Sequence, residues 1–134
     1  MIFKIRTLKE IKNTKGNILK VLSSKDIRFK KFGETYLTKI NKRSVKAWKK
    51  HKKMHLNLTV ISGEVKFVIY SEVKKIFKKI ILKGTSKKSI YIPPGNWFGF
   101  MGLSKKNVIL SITSELTSEK EIVRREIKDI KYYW

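Results

Sequence analysis

The chain has 134 residues and carries 33 lysines and arginines against 10 acidic residues, a formal net charge of +23 at pH 7. This length suits one domain with an ordinary apolar core. The absence of cysteine excludes disulfides and thiolate metal sites, and no segment reaches the ~20 apolar residues that span a bilayer. We therefore expect one cytoplasmic domain over residues 1–134.

The positive charge has two interpretations. A basic surface attracts polyanions, so a nucleic acid, or an anionic membrane surface, is one kind of partner. However, arginine is the residue that forks onto phosphate and guanine, and only five of the basic residues are arginine. The lysines are scattered along the whole chain, which favours a solvated surface over a nucleic-acid site.

Alternation of apolar and polar residues predicts short β-strands along most of the chain. Gly16-Asn17 and Ser62-Gly63 have the composition of turns, residues 23–31 form a loop or helical turn, and residues 118–130 a short helix or an irregular segment. Strands are predicted at residues 1–12, 18–22, 35–40, 45–51, 56–60, 65–69, 76–82, 89–92 and 107–113. Many short strands with almost no helix indicate one all-β domain, either a sandwich or a barrel.

The segment 92–104 begins with a sharp corner. Pro93 and Pro94 fix φ and remove two backbone donors, and Gly95 permits a tight reversal. Aromatic residues follow at once and are interrupted by Gly99, where a strand can bend or admit another group. The pattern predicts a strand whose aromatic side chains face either the core or a ligand.

The segment 45–51 mixes lysines and a histidine with apolar residues. Strict alternation would place Ala47, Lys49 and His51 on one side and Lys46, Trp48 and Lys50 on the other. Such cations inside an apolar barrel are costly unless they meet an anionic ligand or act on one, and the alternative is a solvated edge strand. His51 and His55 lack nearby carboxylates, so no metal site is expected.

Three stretches together resemble the sugar-nucleotide 3,5-epimerases of the cupin superfamily and the related 3,4-ketoisomerases. Residues 46–51 resemble the family's Arg-Gly-Leu-His-x-Gln strand, residues 56–65 its apolar strand ending in x-Gly-x-Val, and residues 92–104 its Ile-Pro-x-Gly corner with aromatics and a closing Leu-Ser. The resemblance implies a jelly roll or small barrel of the cupin type, a homodimer, whose mouth binds a dTDP-linked 4-keto sugar.

The departures from the family pattern concern its catalytic residues. Lys49 occupies the position of the family's catalytic histidine, whereas His51 resembles the second histidine of a ketoisomerase His-x-His motif. Ser111 aligns with the family's tyrosine acid. The carboxylate that supports the epimerase histidine belongs to a C-terminal extension that we expect this chain to lack.

The remaining residues suggest roles in enolisation beside a keto group, which needs a base, an acid and a group that stabilises the enolate. His51 is the candidate base, Lys49 an enolate-stabilising cation or itself the base, and Tyr36 the acid. Lys46 is the candidate ligand of the pyrophosphate. We also expect Trp97 and Phe98 to stack on the substrate, or else to belong to the core.

Three functions remain open on the sequence. The first is an isomerase or epimerase of nucleotide-linked 4-keto-6-deoxy sugars in surface-polysaccharide synthesis, working without metal or cofactor. The second is a cupin that binds a sugar nucleotide or carbohydrate without catalysis. The third is a basic nucleic-acid-binding β-barrel, although its aromatics do not form one stacking platform interleaved with basic residues.

Overall fold

The computed structural model describes residues 2–134, so residue 1 of the first predicted strand lies outside the described residues. Residues 2–134 contain twelve strands, and most of the predicted strands reappear with small changes at their ends. The predicted strand 1–12 is instead divided into two strands, Lys4–Thr7 and Lys9–Ile11, which belong to different sheets. The strands are β1 Lys4–Thr7, β2 Lys9–Ile11, β3 Ile18–Lys20, β4 Glu34–Asn41, β5 Val45–His51, β6 Leu56–Ser62, β7 Glu64–Ser71, β8 Ile76–Lys83, β9 Lys88–Ile92, β10 Trp97–Gly102, β11 Lys106–Thr113 and β12 Ile122–Arg124.

Two antiparallel five-stranded sheets form the body of the molecule. The first sheet has the strand order β1-β9-β6-β11-β4, and the second has the order β12-β5-β10-β7-β8. Strands β2 and β3 pair with each other around the predicted Gly16-Asn17 turn. The prediction of an all-β domain is therefore confirmed as a sandwich, since each sheet keeps two free edges among the described residues and does not close into a barrel.

The apolar core lies between the two sheets. Inward-facing residues of β6 and β9 meet those of β7 and β10, as two-residue alternation requires, and Phe67 and Ile90 are completely buried there. The Ser62-Gly63 turn joins β6 to β7, and Gly63 adopts φ of +82°, a backbone conformation that favours glycine.

The C-terminal segment does not form the α-helix that was one of its two predicted states. It contains β12 and a single 3₁₀ turn at Ile127–Asp129, and it then crosses the outer face of the second sheet. Ile130 and Trp134 pack there on the buried Trp48 and Trp97. Within residues 2–134, no helix has the length and apolar character needed to cross a membrane.

Candidate functional site in the open end of the sandwich

A bulge in β5 determines which side chains face the interior. In the pairing of β5 with β10, Phe98 lies opposite Lys49 and Phe100 opposite Lys46, so two residues of β5 oppose Gly99 alone. The bulge shifts the alternation by one residue. Lys46 therefore joins Lys49 and His51 on the inner face, and the prediction that Lys46 faces the opposite side is wrong.

The inner faces of both sheets line a cavity at this end of the molecule, with about 520 Å³ of space including the part open to solvent. Tyr36 on β4 and Ser111 on β11 belong to the first sheet, while Lys46, Lys49 and His51 belong to the second. The apolar part of the wall comes from Leu56, Leu58, Phe98, Phe100, Ile109 and Ile122. The cavity therefore combines an apolar wall with two amines and an imidazole from the second sheet and with hydroxyl groups from the first sheet.

His51 is buried, with 6% of its surface exposed, and its orientation is set by a carboxylate. Its Nδ1 lies 2.5 Å from Oε2 of Glu121, and its ring stacks on Phe98 with a centroid distance of 5.7 Å. Because Glu121 accepts the proton on Nδ1, the lone pair of the neutral imidazole is on Nε2. This is the arrangement of a histidine base supported by a carboxylate.

Glu121 is itself held by the backbone. Its Oε1 accepts hydrogen bonds from the amides of Lys53 at 2.8 Å and Met54 at 2.9 Å. Burial raises the pKa of Glu121, but the hydrogen bond from His51 and those from the two amides outweigh it, so the pKa is lowered overall and the carboxylate is charged.

Sequence analysis missed Glu121 and expected the supporting carboxylate to be absent, and the structure corrects this. Glu121 ends a turn in which the carbonyl oxygen of Ser118 accepts hydrogen bonds from the backbone amides of Glu121 and Ile122. It then precedes β12, which pairs with the strand that carries His51. Had residues 122–124 been predicted as a strand beside β5, the sequence would have brought Glu121 close to His51.

The environment of His51 favours its neutral form. Burial lowers its pKa, the hydrogen bond and charge of Glu121 raise it in part, and the cations Lys49 and Arg124 lower it again. The net direction is downward from an ordinary value near ~6.5. His51 can therefore accept a proton at pH 7.

Lys49 is half-buried on the same wall, two residues before His51. Burial lowers the pKa of its amine, Arg124 and Lys46 lower it further, and Glu119 raises it in part. The fraction of uncharged amine at neutral pH is therefore greater than for a lysine in water.

Tyr36 stands on the opposite wall as a phenol. Burial raises its pKa and the charge of Glu34 raises it further, while a hydrogen bond with the side chain of Ser111 lowers it in part. The phenol therefore keeps its proton at neutral pH and can donate it. Ser111 thus lies beside the candidate acid, at the position where the resemblance placed the family's tyrosine.

The family model described as FdtA: WxcM-like, C-terminal matches residues 1–133 of this chain. The chain belongs to this family. No curated protein sequence matches the FdtA-family chain, but solved structures share its fold. A dTDP sugar isomerase from Desulfovibrio desulfuricans G20 has a TM-score of 0.84 at 24% identity over 92% of this chain and 83% of its own.

Two further solved structures resemble the FdtA-family chain. The 3,4-ketoisomerase QdtA from Thermoanaerobacterium thermosaccharolyticum, in complex with TDP, has a TM-score of 0.81 at 23% identity over 92% of this chain and 88% of its own. The TDP-quinovose 3,4-ketoisomerase WlaRB from Campylobacter jejuni has a TM-score of 0.81 at 19% identity, covering 92% of both chains. The predicted family resemblance and the cupin-like fold are confirmed.

The side chains of Trp97 and Phe98, which follow the proline corner, lie on opposite faces of β10. Phe98 lines the cavity, as one of its predicted roles requires. Trp97 is fully buried on the outer face, where its Nε1 donates to Glu72 at 2.7 Å and Arg125 stacks on its ring at 4.5 Å. The structure does not bring Trp97 to the candidate site, because adjacent residues of a strand point to opposite sides.

The two histidines of the FdtA-family chain also separate. His55 lies outside the cavity, where its Nδ1 is 2.7 Å from the hydroxyl of Tyr91 and its ring stacks on that residue. Among residues 2–134, no group of three or more histidine, cysteine, aspartate or glutamate side chains is placed to hold a metal ion. His51 alone contributes an imidazole to the cavity.

Proposed function

We propose that the protein is an isomerase that acts on a nucleotide-linked 4-keto-6-deoxy sugar by removing a proton beside the keto group, in the synthesis of a surface polysaccharide. The observation that carries this proposal is the pairing of His51 with Glu121 in a cavity whose opposite wall holds Tyr36. Family membership supports it, as do structural neighbours described as ketoisomerases and epimerases. A mutant of QdtA has been crystallised in complex with TDP-4-keto-6-deoxyglucose.

In the proposed reaction, Nε2 of His51 removes the proton from the carbon next to the carbonyl. Glu121 stabilises the imidazolium that results, because its charge lies 2.5 Å from Nδ1. The phenol of Tyr36, on the facing wall, returns a proton to the enolate. Base and acid thus approach the sugar ring from different sheets.

We propose that the other residues lining the cavity bind the substrate. Lys46 and Lys49 add positive charge to the cavity, which suits a diphosphate and a developing enolate oxygen. Phe98 provides an apolar surface beside His51 for the sugar or the base.

Deuterium exchange tests the proposed reaction. When the protein is incubated with dTDP-4-keto-6-deoxyglucose in deuterated water, we expect deuterium at a ring carbon, detected by NMR. His51→Ala abolishes this exchange and leaves dTDP affinity unchanged, whereas the matched variant His55→Ala, outside the cavity, retains it. Nucleotide-sugar binding without exchange in the wild type would instead indicate the non-catalytic binding protein.

The nucleic-acid alternative has its own test. Purely electrostatic attachment weakens steeply with salt, so we expect no measurable binding to mixed-sequence oligonucleotides at ~150 mM salt. Retained binding at that salt concentration would contradict the proposed function. A cytoplasmic location also stays a prediction, in keeping with a chain that lacks cysteine.

We also propose that the protein forms a homodimer. The outer face of the first sheet is apolar near its free edge, where Leu37 of β4 is 57% exposed beside Leu110 and Ile112 of β11. A second copy would cover this face and the edge strand. Sedimentation velocity should give a dimer mass, and Leu37→Lys should convert it to a monomer.

A further inference from the structure

We propose that Trp134 is a positioning residue for Lys46, because its ring holds the bulge in β5 that turns the amine of Lys46 into the cavity. Under the proposed function, on which this rests, Lys46 is a ligand of the substrate's diphosphate. Trp134 lies on the outer face of the second sheet and does not line the cavity. It therefore acts through the strand and does not touch the substrate.

The bulge places two neighbouring side chains of β5 on the outer face of the sheet. Ala47 and Trp48 both pack into the apolar cluster there, although adjacent residues of a regular strand point to opposite sides. Opposite them, Gly99 has no side chain, and a Cβ built on it would stand 2.5 Å from the Cβ of Ala47. A regular strand would instead turn Ala47 inward and Lys46 outward. The bulge therefore decides which of these two residues lies in the cavity.

The ring of Trp134 covers both of these outward side chains. Its centroid lies 5.3 Å from that of Trp48, and it packs beside Ala47 in the same cluster. The edge of the ring comes within 3.0 Å of the position that a Cβ of Gly99 would occupy, so it fills the space beside this glycine. The apolar area that the ring covers on Ala47 and Trp48 is buried only while both face outward. The contact therefore stabilises the bulged form of β5.

The backbone after β12 brings the ring of Trp134 to this place. The amide of Trp48 donates to the carbonyl oxygen of Arg125 at 3.0 Å, and the amide of Arg125 donates to the carbonyl oxygen of Trp48 at 3.1 Å. The chain then crosses the outer face, where Ile130 is buried and Tyr132 meets the ring of Trp48 edge-on. The buried indole N–H of Trp134 has no hydrogen-bond partner among residues 2–134. Packing therefore holds this ring, and another aromatic side chain can replace it without losing a hydrogen bond.

The place of Lys46 depends on the bulge because no ion pair fixes its amine. Within residues 2–134, no carboxylate lies within ion-pair distance of Lys46. By contrast, the carboxylate of Glu121 holds His51 at 2.5 Å. Lys49 lies on the regular part of the strand, directly opposite Phe98. Loss of the bulge should therefore move Lys46 out of the cavity and leave the proposed base in place.

NMR of the isotopically labelled protein without ligand tests the bulge itself. In the wild type, nuclear Overhauser contacts between the strands should place Phe100 opposite Lys46. In Trp134→Ala we expect these contacts to weaken and contacts between Phe100 and Ala47 to appear, because regular pairing places those two residues opposite each other. The matched control is Tyr133→Ala, which removes an aromatic side chain that is 97% exposed and should leave the wild-type pairing unchanged.

Calorimetry with dTDP measures what the bulge contributes to binding. Lys46→Met should weaken dTDP affinity about 10-fold, the effect of losing one contact to a charged group, and Trp134→Ala should approach this value. If Trp134 acts through Lys46, the double variant binds no more weakly than Lys46→Met alone, whereas two independent effects would multiply to about 100-fold. In the deuterium-exchange assay, Trp134→Ala should raise KM more than it lowers kcat. Trp134→Phe, which keeps an aromatic ring, should restore most of the affinity.

Each outcome decides the positioning role separately from the proposed function. Wild-type pairing of Phe100 with Lys46 in folded Trp134→Ala, wild-type dTDP affinity in that variant, or independent losses in the double variant overturns the positioning role and leaves the isomerase in place. Altered pairing together with a double variant that binds no more weakly than Lys46→Met supports it. A wild-type protein that does not bind dTDP overturns the proposed function, and the strand pairing then decides alone whether Trp134 positions Lys46. If circular dichroism shows that Trp134→Ala is unfolded, Trp134→Leu, which keeps an apolar side chain, takes its place in each comparison.

Discussion

Replacing Glu121 with glutamine tests whether its carboxylate makes His51 a base. Glutamine keeps the length of the side chain and one carbonyl oxygen, so it can still accept the amides of Lys53 and Met54. It removes the negative charge that lies 2.5 Å from Nδ1 of His51. The change therefore removes the charge, and it also places the NH2 group of glutamine, a donor, against Nδ1 in place of an accepting oxygen.

The size of the effect follows from the kind of hydrogen bond. A hydrogen bond to a charged group contributes about 1.5–3 kcal/mol. Because Glu121 is charged and paired when His51 becomes an imidazolium, this contribution is largely lost from the transition state. At about 1.36 kcal/mol per tenfold change in rate, we expect kcat to fall about 10- to 150-fold.

The pH profile of deuterium exchange gives a second readout with a definite sign. Glu121 raises the pKa of His51, so its neutralisation lowers that pKa and moves the acidic limb of the profile to lower pH. The matched control is Glu126→Gln, which removes an exposed carboxylate of the same segment and should leave both rate and profile unchanged. A folded Glu121→Gln protein with the wild-type rate and profile would refute the role assigned to Glu121.

Three further changes have expected outcomes. Tyr36→Phe removes the candidate acid, so product formation measured by NMR should fall about 100-fold or more while dTDP affinity measured by calorimetry is retained. Gly99→Ala places a methyl group 2.5 Å from the Cβ of Ala47, so the free energy of unfolding in urea should fall by about 1–3 kcal/mol. Burial lowers the pKa of His51, so the unfolded chain binds more protons than the folded protein in this pH range. The free energy of unfolding should therefore decrease as the pH falls below about 6.5. An equal decrease in the His51→Gln variant would contradict this assignment.

Most of the strands could be predicted from the sequence because alternation and turn residues act locally. The corner at residues 92–95 and the turn at Ser62-Gly63 are examples, and the strands that follow them begin where the pattern indicates. The C-terminal segment could not be predicted in this way. Its strand has only three residues, and pairing with β5 stabilises it, which no local pattern reveals.

Within the candidate site, the sequence predicted the strand β5, but it assigned Lys46 to the wrong face of that strand. His51, Lys49 and Tyr36 lie together in the cavity as the sequence predicted. Strict alternation failed for Lys46, because the bulge in β5 appears only in the pairing with β10, a distant segment of the chain. Opposite the bulge, Gly99 has no Cβ on the outer face of the sheet. A Cβ there would stand 3.0 Å from the ring of Trp134, which is closer than ordinary van der Waals contact.

The position of the imidazole agrees with the base proposed for this chain, although the resemblance aligns Lys49 with the family's catalytic histidine. A shift of two residues along a strand preserves the face and moves a side chain by about 6.6–6.8 Å. The shift from position 49 to position 51 therefore leaves the imidazole in the cavity and brings it opposite Ile122 of β12. Glu121 directly precedes that residue and reaches Nδ1 at 2.5 Å, a contact that places the carboxylate at the end of the strand where His51 lies.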